Sequence, residues 1–149
     1  MGRGGERRVA EQLIERGWYV IPSYDYSGED DHAPRMEGRA GCYILPDLDI
    51  SKGGKRRWAE VKTKTEAAFF YKTSELVHGI PVRHLEHYRR VEAESGCEVW
   101  LFIYEISTAA LLYSKLSELG EGQRYTGRKM SNGGMVFWPR NTFRIWHFD

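Results

Sequence analysis

Asp47, Glu60 and Lys62 are the residues of this 149-residue chain whose types and spacing best suit chemistry. Asp47 lies in Pro46-Asp47-Leu48-Asp49-Ile50, and the acid and lysine lie in Trp58-Ala59-Glu60-Val61-Lys62. Gly53-Gly54 falls between these alternating runs, which is a β-hairpin signal. With the two glycines as the turn, counting outward puts Asp47 opposite Glu60, with Lys62 on the same face. Carboxylates so placed repel by on the order of 4 kcal/mol at ~4 Å and an effective dielectric of ~20. A divalent cation removes that repulsion, and carboxylate oxygens are the ligands that Mg²⁺ prefers. Such a group suits phosphodiester hydrolysis, where Mg²⁺ supplies an activated water and relief of charge on the phosphate. Lys62 adds donors that position the water or offset developing charge. Asp49 competes for the same role, but the register sets it opposite Trp58, nearer the turn. Pairing with Lys52 or Arg56 suits it better, and Asp47 is preferred.

The elements that position these residues follow from periodicity. A helix is expected from about Gly4 to Arg16, stopped by Gly17, with Val9, Ala10, Leu13 and Ile14 as its apolar stripe. Glu6 lies on that stripe, an unusual place for a carboxylate. Trp18 to Ile21 reads as a short strand, and residues 22–41, rich in Gly, Pro, Asp and Ser, as a long surface loop. The hairpin of about 43–50 and 56–63 follows. Pro81 opens a second helix that runs to about Glu94, with Leu85, Tyr88 and Val91 on one side, and Gly96 ends it. Glu98 to Tyr104 is nearly continuously apolar, as in a central strand buried on both faces. Ala109 to Leu119 reads as a helix, Glu121 to Gly134 as a polar loop, and Met135 to Trp146 as an edge hairpin turning at Pro139-Arg140-Asn141. Ala67 to Tyr71 is aromatic and unassigned.

Helix, strand, acid-bearing hairpin, helix and central strand is the order of the PD-(D/E)xK nuclease core. The chain resembles that superfamily through Pro46-Asp47, Glu60-Val61-Lys62 and the Gly5-Glu6 opening of the first helix, and particularly its small Holliday-junction-resolvase-like and phage or restriction-type members. The resemblance implies an α/β fold with a restriction-endonuclease-like core, a central mixed sheet of about four strands flanked by helices. It covers about residues 4–104, with 105–149 a C-terminal β-rich extension of the same single domain, 1–149. It implies a Mg²⁺-dependent DNA endonuclease, with Mn²⁺ a substitute. The catalytic set it implies is Glu6, Asp47, Glu60 and Lys62, and the metal set is Glu6, Asp47, Glu60 and Val61. In several such nucleases the second helix carries Q-x-x-x-Y. Here His84 to Tyr88 has that spacing, with His in place of Gln.

Formal net charge is +1, so an anionic partner must be held by local patches. Lys52, Lys55, Arg56, Lys64 and Lys72 surround the hairpin, and His84, His87 and Tyr88 lie on the second helix. Together they are the candidate contacts to DNA, with Arg124, Arg128 and Lys129 in a later loop. Tyr24, Tyr26, Phe69, Phe70 and Tyr71 suit either packing or stacking on bases. His84 and His87 alone do not complete a zinc set. Cys42 and Cys97 have no metal-ligand spacing and read as reduced thiols of an intracellular protein. No apolar run reaches a membrane span and Met1 to Arg8 leads into no signal-peptide core, so a cytoplasmic location is expected. A homodimer suits an enzyme that cuts two strands. Two rival readings are a non-cleaving nucleic-acid-binding subunit that keeps the fold, and an assembly domain using Phe137, Trp138, Phe143 and Trp146 as a contact patch.

Overall fold

The computed structural model describes residues 2–22, 35–39, 41–127 and 133–147. Helix α1 spans Gly2–Glu15 and α2 spans Val82–Ser95, with a single helical turn α3 at Leu116–Leu119. The strands are β1 (Tyr19–Pro22), β2 (Arg35–Gly38), β3 (Gly41–Ile44), β4 (Leu48–Lys52), β5 (Lys55–Lys64) and β6 (Ala68–Phe70). They continue as β7 (Glu75–Pro81), β8 (Val99–Glu105), β9 (Ala110–Lys115), β10 (Gln123–Tyr125), β11 (Met135–Pro139) and β12 (Arg144–His147).

The hairpin register is the one read from the glycines. Leu48 faces Ala59, Asp49 faces Trp58 and Lys52 faces Lys55. Gly53 and Gly54 have φ of +55° and +79°, the two left-handed residues that a two-residue type I′ turn requires. Beyond β4 and β5 the sheet is larger than expected. Six strands run in the order β1-β4-β5-β8-β9-β12, with β5 and β8 the parallel pair.

The extra strands come from segments read otherwise. Ala110–Lys115 is a strand, not a helix. Its Ala and Leu residues favour a helix, but Leu111 and Leu112 are buried on opposite faces of the sheet, and that burial outweighs propensity. Met135–Trp146 is not a hairpin. β11 pairs with β7 and β10, while β12 crosses to β9 in the six-stranded sheet. The four-stranded sheet is β10-β11-β7-β6, which takes in the unassigned aromatic segment and part of the expected polar loop. Arg35–Gly38 and Gly41–Ile44 form a strand pair within what reads as a loop. The C-terminal part is β-rich as expected, and its strands β9 to β12 join both sheets.

Each face of the six-stranded sheet carries one long helix. Val9, Ala10 and Leu13 of α1 pack with Leu48, Ile50, Ala59, Val61, Trp100 and Phe102. On the other face Leu85, Tyr88 and Val91 of α2 pack with Trp58, Val99, Leu101 and Ile103. A Cβ at Gly5 would collide with Thr63 Oγ1, so glycine there lets the first turn of α1 lie against β5. Trp138 and Phe143 belong to the core at 1% and 5% exposure, which removes them from the proposed contact patch. No described helix is long and apolar enough to cross a membrane, and Cys42 and Cys97 are both free thiols.

Candidate active site

Pro46 has no N–H to extend the ladder, and β4 begins at Leu48. Asp47, just ahead of it, reaches across to β5, where Val61 N–H donates to its Oδ2 at 2.8 Å. Alternation along β5 turns Glu60 and Lys62 to the α2 face and Val61 to the α1 face. Lys62 Nζ lies 3.3 Å from Glu60 Oε1 and 3.4 Å from His84 Nδ1 on the first turn of α2.

The electrostatics of this group are dominated by burial. Glu60 is 4% exposed, and burial raises its carboxyl above the usual range against the pull of Lys62 and the Tyr88 hydroxyl. The Asp47 carboxyl is pushed up to about 8 by burial and by Glu60, with the Val61 N–H and Lys62 opposing. Two carboxylates this close do not both ionise near neutral pH without a cation. His84 is pushed down to about 4 by burial, Lys62 and Arg83. It is therefore neutral at pH 7, able to accept from the Lys62 ammonium at Nδ1.

These residues fit a hard divalent cation. The donors are carboxylate oxygens, their mutual repulsion calls for positive charge, and Glu60 Oε2 is buried with no hydrogen-bond partner among the described residues. No three His, Cys, Asp or Glu side chains among the described residues are gathered closely enough to hold a metal. Asp47 and Glu60 thus stand as a pair with Lys62. Glu6 is buried at 5% exposure on α1, on the stripe where the sequence puts it, but is not gathered with them into such a set. Val61 can contribute only main chain, because its side chain faces the α1 cluster.

A stability effect follows in metal-free protein. Asp47 has a native value of about 8 against 3.8 ordinarily, so the native state binds more protons than the unfolded chain between those limits. Stability then falls as pH rises through that window. Asp47→Asn removes the effect and raises the melting temperature at pH ~8.5 by at least about 3 °C. Thermal melts in chelator at pH ~6 and ~8.5 measure it. A wild-type protein no less stable at the higher pH contradicts it.

The remaining candidates are scattered around this centre. Asp49 is clamped by Arg56 in a bidentate pair at 2.7 and 3.0 Å, the role the sequence reading preferred for it. Lys52 caps α1, its Nζ donating to Arg16 O at 2.6 Å on the face away from Asp47. Lys55 is exposed beside the turn, Lys64 is half-buried, and Lys72 lies over the Tyr125 ring. His87 accepts the Ile44 N–H at Nδ1, which ties α2 to β3. Tyr88 is buried in the core, so it serves Glu60 rather than a surface.

The sequence already shows Arg83, His87, Arg89 and Arg90 loading the second helix with basic groups, and the structure gathers them with Glu86 and with Tyr43 of β3 into a groove of about 430 Å³. The contribution of Tyr43 has no signal in the sequence, because β3 lies far from α2 along the chain. Sequence reasoning missed the buried network of His78, Glu105 and Arg140, whose members are far apart in sequence. Tyr24, Tyr26, Arg128 and Lys129 lie outside the described residues.

No protein-family model matches the chain, and no curated protein sequence does. Among solved structures it is similar to Hjc, a Holliday junction resolvase of the archaeal hyperthermophile Archaeoglobus fulgidus. That match has a TM-score of 0.60 and 15% identity, over 95% of this chain and 91% of the resolvase. D212, a nuclease from a fusselovirus, aligns at a TM-score of 0.48 and 12% identity, over 95% of this chain and 80% of its own. The six-stranded mixed sheet between α1 and α2, with its match to the resolvase along nearly the whole length of both chains, gives this protein a restriction-endonuclease-like fold.

Proposed function

We propose that this chain is a metal-dependent endonuclease that hydrolyses phosphodiester bonds of DNA. The observation that carries the reading is the buried Asp47–Glu60 pair with Lys62 Nζ 3.3 Å from Glu60. Asp47 and Glu60 would hold Mg²⁺, with Mn²⁺ a substitute, and Val61 would add main chain only. When bound, the cation supplies Lewis-acid relief of phosphate charge and a more acidic water. Lys62 presents its ammonium on the same face, held between Glu60 and the neutral His84, where it offsets charge on the scissile phosphate. Asp47 is fixed by the Val61 N–H, so the carboxylate is oriented before substrate arrives. The reading does not require Glu6.

DNA is the partner this arrangement suits. The groove lined by Arg83, Arg89 and Arg90, with Glu86 as its one acid, lies along α2, which also carries His84, and its three guanidinium groups suit backbone phosphates. Hjc is by name a Holliday junction resolvase, which makes a four-way junction the first substrate to try. A homodimer of this cytoplasmic enzyme would supply two such sites.

The test is a panel of labelled substrates, comprising a four-way junction, flap, duplex, single strand and RNA. Each is incubated with Mg²⁺, with Mn²⁺ or with EDTA. The expected result is nicking of at least one DNA substrate with either metal and none with EDTA. Salt-sensitive binding without cleavage of any substrate would replace this reading with that of a non-cleaving DNA-binding subunit.

A further inference from the structure

A second concave site lies on the opposite face of the sheet. Its cavity of about 220 Å³ opens where the C-terminal end of α1 meets β4, β5, β8 and β9. Arg57 points to this face, as the alternation that turns Glu60 and Lys62 to the α2 face requires. None of the cavity's lining residues belongs to the Asp47–Glu60 group.

Aromatic rings form its walls. Trp100 and Tyr113 are stacked with centroids 6.1 Å apart, and Trp146 meets Tyr113 edge-on at 5.8 Å. Trp18 lines the same cavity, over apolar Leu13, Ile50 and Phe102. Cations surround these rings. The Arg16 guanidinium lies 3.4 Å from the Trp146 centroid, and Arg57 lies 4.6 Å from Trp100 and 5.2 Å from Trp18. Lys115 stands 5.8 Å from Trp100. Glu98 is the nearby acid, and it is shared between Arg57 at 3.5 Å and Lys115 at 3.1 Å.

One polar group is left over. Trp100 is 7% exposed, and its Nε1–H is buried with no acceptor among the described residues. An indole N–H is a donor only, and a buried donor without an acceptor is costly. The cavity itself presents flat aromatic walls beside two guanidinium groups, which suits a flat ring system that carries negative charge. A cationic ligand is excluded by the positive side chains already stacked on the walls. The volume exceeds the ~150 Å³ that holds a single benzene, which suits one heteroaromatic ring system and not a large ligand.

We propose that this cavity binds a nucleotide, its base entering among Trp18, Trp100 and Trp146 and its phosphate lying against Arg16 and Arg57. The nucleotide could come from an unpaired position of a nucleic-acid strand or from a free mononucleotide. Both present the same base and phosphate, and an experiment separates them. Base-on-aromatic stacking tolerates any base, so little sequence preference is expected.

The test is tryptophan fluorescence titration of the full chain with thymidine 5′-monophosphate and with short oligodeoxythymidylate. Thymidine, inorganic phosphate and a strand of abasic sugars serve as the incomplete probes. The expected result is saturable quenching that needs both base and phosphate, with the Trp100 indole N–H resonance moving on binding. Arg57→Gln and Trp146→Leu, checked for folding by circular dichroism, should each weaken binding about tenfold. Trp100→Phe, which shrinks the stacking surface, should weaken it several-fold. Tighter binding of the strand identifies an unpaired nucleotide as the natural occupant, and equal or tighter binding of the monophosphate identifies the free nucleotide. Glu60→Gln protein should bind as wild type, so the result is independent of whether the chain cleaves DNA. No saturable quenching by either probe overturns the proposal. So does equal binding of the abasic strand, an unmoved Trp100 resonance, or indifference to all three pocket variants.

Discussion

Replacing Glu60 with Gln lowers metal-dependent DNA cleavage by on the order of 10²–10³-fold or more, while the protein remains folded and becomes no less stable. The two halves of this expectation come from one geometry. Glu60 is buried beside Asp47, so its negative charge is a burden on the fold until a cation arrives. Gln keeps the volume, removes the repulsion and cannot neutralise a divalent ion. Asp47→Ala and Lys62→Ala should also remove nearly all cleavage, Asp47 as the other carboxylate and Lys62 as the ammonium held against Glu60. Asp49→Asn is the internal control. It breaks a pair with Arg56 near the surface and leaves cleavage within a few-fold of wild type. Single-turnover assays on the best substrate of the panel, with melting curves on the same preparations, measure all four. Full activity in Glu60→Gln, or loss in Asp49→Asn equal to that in Asp47→Ala, would sink the assignment.

Arg140→Ala has the largest expected effect on stability, about 3–5 kcal/mol. Glu105 is 1% exposed at the end of β8, and Arg140 binds both its oxygens at 2.8 and 2.9 Å. Thr108 donates to Oε1 and the buried His78 lies 2.6 Å from Oε2. Burial holds His78 below its ordinary value, so it is neutral and donates from Nε2. Removing the guanidinium leaves a buried carboxylate with only neutral donors. The damage spreads because His78 is in the four-stranded sheet, Glu105 in the six-stranded one, and Arg140 in the turn Arg140–Thr142 between β11 and β12. The network stitches the two sheets together.

Acid sensitivity follows from the same group. Arg140, Thr108 and His78 hold the Glu105 carboxyl at about 2, well below the ordinary 4.5. The unfolded chain binds more protons in that window, so this stabilisation is complete above pH ~4.5 and is lost as pH falls toward 2. His78 acts in the same direction, since the unfolded state takes up its proton more readily. Urea melts of wild type and Arg140→Ala from pH ~7 to ~3 should show a lower midpoint and a flatter acid limb in the variant. Equal stability at pH ~7 would mean that the network carries no load.

The features legible in the sequence are those that local geometry decides. Two adjacent glycines demand a turn with positive φ at both positions. That turn sets the register, and the register selects Asp47 over Asp49 as the neighbour of Glu60. The stripe on α1, the helix from Pro81 to Gly96 and the doubly buried β8 were readable for the same reason, since each repeats a period over a whole element. Tertiary structure alone decided where chain segments with no distinctive period belong. Ala110–Lys115 is apolar on consecutive residues, which suits a buried helix and a central strand equally, and only the presence of β8 beside it selects the strand. Phe137 and Trp138 go to one sheet while Ile145 and Trp146 go to the other, because Pro139 and the turn after it send the chain across. The Glu105 network and the Trp-lined cavity are built from residues scattered from α1 to β12. Their chemistry depends on distance in space, and a one-dimensional sequence records that only when the residues are close neighbours or share a ladder.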